Sequence, residues 1–367
     1  MKVLMTADTV GGVWTYSLQL ASALQEHSVR VTLATMGAPL TPAQYEEARQ
    51  IPSLQVFESN FKLEWMEDPW DDVAKASEWL LSLEAETGPD VIHLNGYAHG
   101  GLPWDAPVLM VGHSCVLSWW EAVKGEPAPL TWQQYHAEVR RGLQAADMVV
   151  APSRAMLDSL QRHYGPLPRA RVIYNALDGA PFKPTSKAEV IMTAGRLWDE
   201  GKNVMALERV APYLAWPVYV AGDNQHPDGG RMELSNLRLL GKLNSKEMAQ
   251  RLNEAAIYCL PARYEPFGLS VLEAGLASCA LVLGDIPSLR EIWGEAAIFV
   301  PPDDQHALRT ALQSLIEDEQ QRKAMADKAH ERARELTPRR MAAAYLEAYH
   351  DLMAARTELR KTTASVS

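Results

Sequence analysis

A short apolar run, Lys2 to Ala7, breaks at Asp8-Thr9-Val10-Gly11-Gly12 and gives way to apolar residues at helical spacing, Val13, Tyr16, Leu20 and Leu24. An extended segment that feeds a glycine turn and then an amphipathic helix buries both elements by laying the helix on a sheet. The same unit recurs. Val29–Ala34, Val91–Leu94, Val108–Val111 and Met148–Ala151 are further apolar runs, with helical stretches between them. Strands alternating with helices predict a mostly parallel sheet covered on both faces, an α/β architecture.

The pattern then restarts. Pro166, Pro168, Gly179, Pro181 and Pro184 cluster in a stretch that reads as a linker. Beyond it, Val190–Thr193 has the character of another first strand, followed by Gly195 and a helix from about Asn203. Further strand candidates are Pro217–Ala221, Leu237–Leu240, Ile257–Leu260, Ala280–Leu283 and Ala297–Val300. With 367 residues, two domains are favoured over one. The sequence places them at residues 1–170 and 188–337, with a helix over 338–356 and a loose tail over 357–367. That helix is long enough to cross back onto the first domain.

Charge narrows the classes of function. Acidic residues number 46 against 35 basic ones, and the formal net charge is -11. An acidic chain without a basic face is poorly suited to nucleic acid. Residues 1–170 carry 11 basic and 20 acidic side chains, which disfavours stable docking on anionic lipid. Three scattered cysteines, Cys115, Cys259 and Cys279, suit buried thiols in a reducing compartment better than disulfides or a zinc site. The N-terminal residues lack the hydrophobic core of a signal peptide, and no segment has the length and apolarity of a membrane span. A cytoplasmic location without membrane insertion is the expectation.

Several loops carry groups that could do chemistry. Gly11-Gly12 at a strand-to-helix turn opens backbone N–H groups to a phosphate or a sugar, although the G-x-G-x-x-G dinucleotide fingerprint is absent. In the second half, Gly195-Arg196-Leu197-Trp198-Asp199-Glu200-Gly201-Lys202 places two cations six residues apart on a loop after a strand. A diphosphate is a natural partner for a guanidinium fork and an ammonium point charge; two solvated surface cations are the alternative. After the strand Ile257–Leu260 comes Glu265-Pro266-Phe267-Gly268-Leu269-Ser270, then Glu273. Eight residues of helix span about 12 Å, so one carboxylate can face a sugar ring while the other meets a ribose. The N–H groups of Phe267–Ser270 would point at phosphate between them.

Taken together, these blocks resemble the retaining GT-B glycosyltransferases of family four, also called glycosyltransferase group 1. Glu265 and Glu273 inside EPFGLSVLEA match its E-x7-E motif, and AGRLWDEGKN resembles its Arg/Lys diphosphate loop. TADTVGGVWTYSLQLASAL resembles its N-terminal glycine loop, and HSCVLSWW, APSRAMLDSL and VIYNALD fall in family order. The resemblance covers about residues 1–350. It implies two Rossmann-like domains facing a cleft, and transfer of a sugar from a UDP-, GDP- or ADP-sugar to a saccharide or glycoconjugate hydroxyl. No metal and no further cofactor are implied, because cations of the chain would neutralise the leaving diphosphate.

The resemblance also assigns residues. Arg196 and Lys202 would hold the diphosphate, Glu265 the sugar hydroxyls and Glu273 the ribose. Gly12, Gly195, Phe267, Gly268, Leu269 and Ser270 would line the donor. His113 would sit by the reacting face of the sugar, with an ordinary core histidine as the alternative. The glycine-rich loop after Val91–Leu94 offers Asn95, Tyr97 and His99 to the acceptor, and Trp104, Trp119, Trp120 and Trp132 fall in the same region. Retention of anomeric configuration follows from the resemblance. A nucleotide-sugar epimerase of the same architecture and a non-catalytic nucleotide- or carbohydrate-binding protein are the competing readings.

Overall fold

The computed structural model describes residues 1–183, 185–224 and 232–364, with side chains described to residue 358. It divides into two compact units, residues 1–120, 126–176 and 338–367 in one and 121–125 with 177–337 in the other. Pro184 of the expected linker lies outside the described residues.

Among the described residues the first unit holds seven strands: β1 (Lys2–Asp8), β2 (Arg30–Met36), β3 (Leu54–Glu58), β4 (Val91–Leu94), β5 (Val108–Val111), β6 (Met148–Ala151) and β7 (Ala170–Val172). The second holds six: β8 (Ala188–Ala194), β9 (Val218–Ala221), β10 (Arg238–Gly241), β11 (Ala255–Leu260), β12 (Ala280–Gly284) and β13 (Ile298–Val300). Their orders are β3-β2-β1-β4-β5-β6-β7 and β10-β9-β8-β11-β12-β13. Every pairing is parallel. Both sheets are therefore doubly wound, and the order reverses between β1 and β4 in one and between β8 and β11 in the other. Ligands of such sheets bind outside the carboxyl ends of the strands at that reversal.

The strands at the reversal points are central and buried on both faces, which explains their near-continuous apolar runs. All six residues of β11 (AAIYCL) are buried, and so are all four of β4 (VIHL), including the imidazole of His93. The edge strands β3 and β7 escaped the sequence reading. Both are half-exposed, and β7 is only three residues long, so neither shows the apolar run that marks its central neighbours.

The C-terminal helix, Pro338–Ala364, belongs to the first unit. Met341, Ala342, Tyr345, Ala348, Tyr349 and Leu352, spaced by three and four, join one core cluster with Trp14, Leu18, Leu20 and Leu24 of the helix Gly12–Gln25. It is helical through residues the sequence reading gave to a loose tail from 357; of that tail, 365–367 lie outside the described residues. No helix among the described residues is long and apolar enough to cross a membrane. The three cysteines are free and buried.

Candidate functional site

In the second unit the reversal point is built from the loop after β8 and the loop after β11. The chain leaves β8 through Gly195 and Arg196 and makes a short 3-10 turn, Glu200–Lys202. Asp199, only 6 % exposed, caps that turn by accepting from the Gly201 N–H at 2.9 Å, and its other oxygen takes the Arg196 guanidinium at 3.2 Å. Asn203 follows at a φ of 56°, a left-handed conformation that Asn tolerates. Its buried amide donates to the carbonyls of Pro261 and Pro302 at 2.9 and 2.7 Å. The Arg263 N–H donates to the Gly201 carbonyl at 2.8 Å, so the two loops are stitched into one platform.

That platform sets the two charges that matter most. Lys202 Nζ lies 2.6 Å from Glu265 Oε2, and each side chain is 13 % exposed. The stem of Lys202 runs across the face of Gly195, where an added Cβ would meet its Cγ at 3.5 Å. Arg196 remains 40 % exposed, with its guanidinium 5.4 Å from the Trp198 ring centre. Asp199 anchors Arg196 and Glu265 anchors Lys202, so the two cations are fixed on one loop.

The third element is the helix Leu269–Leu276. Gly268 caps it at a φ of 89°, and a Cβ there would press on Val271 at 3.0 Å. The N–H groups of Gly268, Leu269 and Ser270 open the first turn, where a helix has no carbonyl of its own to offer them. The ring of Phe267 is buried. Ser270 Oγ lies 2.8 Å from the Tyr258 hydroxyl. Glu265 is locked from behind, since Ser288 Oγ donates to its carbonyl at 2.5 Å. Glu273, two turns further on, is half-buried, and burial pushes its carboxyl up to about 7. The sequence-predicted residues Gly195, Arg196, Lys202, Glu265, Phe267, Gly268, Leu269, Ser270 and Glu273 thus converge on one reversal point.

The first unit brings together a different group. Gly12 is the first residue of the helix that follows β1, exposed and preceded by Gly11 at its cap. His113 follows β5, half-buried, with its Nε2 2.8 Å from Asn95 Oδ1 and its ring edge-on to Tyr16 at 4.6 Å. Burial lowers its basicity to about 3, so the imidazole is neutral at physiological pH.

The loop after β4 departs from expectation. Tyr97 and His99 are 4 % and 5 % exposed. The Tyr97 hydroxyl donates to the Ser114 carbonyl at 2.8 Å, and His99 Nδ1 lies 3.2 Å from Ser77 Oγ. The buried carboxylate of Glu64 accepts from the N–H groups of Tyr97 and Ala98 at 2.8 and 3.1 Å. Both side chains are thus buried inside the domain rather than presented on its surface. Trp104 is likewise core, its indole N–H on the His99 carbonyl at 2.9 Å. Glycines there serve backbone contact: a Cβ on Gly142 would fall 1.9 Å from the Tyr97 carbonyl oxygen.

The sequence reading missed His93. Its neighbours Val91, Ile92 and Leu94 made it look like part of an ordinary apolar strand. A histidine inside a fully buried strand at a sheet reversal was the available signal.

A doubly wound pair of sheets with a cationic loop, a glutamate and a helix N-terminus at the second reversal point defines the GT-B glycosyltransferase class. The chain belongs to the glycosyltransferases of family four, group 1. The model of Glycosyltransferase Family 4 matches residues 10–180, and that of Glycosyl transferases group 1 matches residues 184–332. Among curated relatives, glycogen synthase from Mycobacterium tuberculosis is 28 % identical over 264 residues, which cover 65 % of this chain and 63 % of that protein. Phosphatidyl-myo-inositol mannosyltransferase from Mycolicibacterium smegmatis is 29 % identical over 169 residues, 42 % of each chain. The matched part is therefore less than two thirds of these relatives' lengths. Among solved structures, sucrose-phosphate synthase from Thermosynechococcus elongatus superposes with a TM-score of 0.81 at 18 % identity, covering 97 % of this chain and 100 % of that one. Anabaena HepE, solved in complex with UDP and glucose, gives 0.73 at 17 % identity, covering 96 % and 100 %.

Proposed function

We propose that this chain moves a sugar from a nucleotide-diphospho-sugar to a hydroxyl acceptor, with retention at the anomeric carbon and without a metal. The observation that carries this reading is the Lys202–Glu265 pair at 2.6 Å, set on the same stitched loops as Arg196 and beside the open first turn of Leu269–Leu276. A diphosphate leaving group gains negative charge as the sugar departs. Fixed cations and N–H groups aimed at it stabilise the transition state without reorganising. Arg196 and Lys202 supply the charge, and Gly268, Leu269 and Ser270 supply N–H donors. Glu265, oriented by Lys202 and Ser288, accepts from sugar hydroxyls. Glu273 accepts from the ribose.

In the reaction the bond from the anomeric carbon to the phosphate oxygen breaks, and its electron pair stays on the diphosphate. The acceptor oxygen bonds to the same face of that carbon, and its proton passes to the departing phosphate oxygen. No side chain is needed as a nucleophile, unlike the two-carboxylate hydrolases that retain configuration. The relatives named as glycogen synthase and mannosyltransferase, and HepE with its UDP and glucose, support a nucleotide-activated sugar and a saccharide-type acceptor. Three free, buried thiols suit a reducing compartment such as the cytoplasm.

The test is a panel. Thermal stabilisation by UDP, GDP and ADP identifies the base, because a matched ligand stabilises by mass action. The matching nucleotide-hexose is then incubated with oligosaccharide acceptors in the presence of a chelator, and the product's anomeric centre is read by NMR. Retained configuration at undiminished rate supports the proposal. An inverted centre, a rate abolished by the chelator, or conversion of the donor without any acceptor would overturn it.

A further inference from the structure

A buried chain of polar groups runs beneath His113, and its hydrogen bonds fix where that imidazole carries its proton. Asn95 Nδ2 lies 2.7 Å from the backbone carbonyl of Thr6, and a carbonyl can only accept. The amide orientation is therefore fixed with Oδ1 on the opposite side. A second tie holds it, since the Asn95 N–H donates to Thr6 Oγ1 at 2.8 Å. Oδ1 in turn faces two imidazoles, His113 Nε2 at 2.8 Å and His93 Nε2 at 3.3 Å. Having no proton, Oδ1 accepts at the short contact from the His113 Nε2–H. The far nitrogen of His93 meets the Tyr349 hydroxyl at 2.6 Å, on the C-terminal helix. Tyr16 fills the remaining space, its hydroxyl 3.2 Å from His93 Nε2 and its ring edge-on to His113. Burial holds both imidazoles down to about 3, so each carries a single proton at neutral pH.

We infer that Asn95 is a positioning residue: its amide oxygen locks His113 as the Nε2–H tautomer and leaves Nδ1 as a bare acceptor for a substrate hydroxyl. Among the described residues His113 Nδ1 has no partner. This replaces the expectation that Asn95 binds the acceptor itself. The consequence for the reaction rests on the proposed function above. A neutral ring with its lone pair in a set direction orients a sugar hydroxyl, whereas the other tautomer would present an N–H to the same atom.

The tautomer is read directly in the full chain labelled with 15N-histidine, from two-bond proton–nitrogen correlations of the imidazole rings, with His113→Gln used to assign the signals. The wild-type protein should show His113 as the neutral Nε2–H form at pH 7. Asn95→Ala should give a mixture of tautomers, Asn95→Asp should restore the Nε2–H form by restoring an oxygen acceptor, and Tyr349→Phe should leave His113 unchanged because Thr6 alone fixes the amide. In transfer assays Asn95→Ala should lower kcat about tenfold, with the donor KM within about twofold. A wild-type His113 in the Nδ1–H form, or an Asn95→Ala spectrum identical to wild type, would overturn the assignment. A kcat untouched in Asn95→Ala would overturn its role in the reaction. Were the wild-type chain to transfer no sugar at all, the functional reading would fail while the tautomer stood on the spectrum alone.

Discussion

Removing the ammonium of Lys202 separates two jobs that the residue does at once. Lys202 and Glu265 are 2.6 Å apart and each 13 % exposed. At an effective dielectric near 20 their gross attraction is about 6 kcal/mol. Desolvation offsets most of it, but Lys202→Met leaves the carboxylate of Glu265 nearly buried and unpaired. Breaking a fully buried pair costs about 3–5 kcal/mol. The residual water access here reduces the expected loss to about 2–3 kcal/mol, a fall in Tm of about 4–12 °C. Lys202→Met should also lower kcat by about 10²–10³, the usual cost of one charged donor aimed at a developing anion. A double-mutant cycle tells the two effects apart. Glu265→Gln in the Lys202→Met background removes the stranded charge, so thermal unfolding should return towards the wild-type midpoint. Turnover, measured as nucleoside diphosphate release with acceptor present, should stay low. A double variant no more stable than Lys202→Met alone would refute the pairing argument. Wild-type turnover in Lys202→Met would refute the diphosphate role.

Three further outcomes follow from the geometry. Glu273 accepts ribose hydroxyls only when ionised, and burial pushes its carboxyl up to about 7. Donor affinity should therefore weaken as pH falls below about 7, approaching tenfold per pH unit; isothermal titration at several pH values checks this, and Glu273→Gln should flatten the profile. Arg196→Ala removes a cation that is 40 % exposed, so it should reduce kcat by about 10² while shifting Tm by less than about 2 °C, as steady-state kinetics and calorimetry would show. Gly222→Ala places a methyl 1.8 Å from the carbonyl oxygen of Gly195, at a φ of 141°. It should displace the diphosphate loop and yield a protein that is unfolded or binds no nucleoside diphosphate, seen by circular dichroism and thermal shift.

The alternation of strands and helices was legible because central parallel strands are buried on both faces. Runs such as Ile257–Leu260 and Val108–Val111 have no other use for so much apolar surface. The edge strands Leu54–Glu58 and Ala170–Val172 were not, since an edge is half-wet and carries no such run. In the second unit the clustering of the candidate residues was readable because they are close in sequence and stand on loops that follow two neighbouring strands. Arg196 and Lys202, then Glu265 and Glu273, need only the sheet reversal to bring the two loops together.

In the first unit, spacing along the chain misled. Asn95, Tyr97 and His99 form a polar, glycine-rich loop of the sort that meets a ligand, yet Tyr97 and His99 are buried and tied to Glu64, Ser77 and Ser114. Local sequence fixes which backbone a segment adopts, because propensity and periodicity act over a few residues. Whether a polar side chain faces solvent or its own core depends on partners far away in the chain. Tyr349 reaches His93 across 256 residues, and Thr6 reaches Asn95 across 89. Folding alone brings those atoms within hydrogen-bonding range, and that proximity determines which nitrogen of His113 carries its proton.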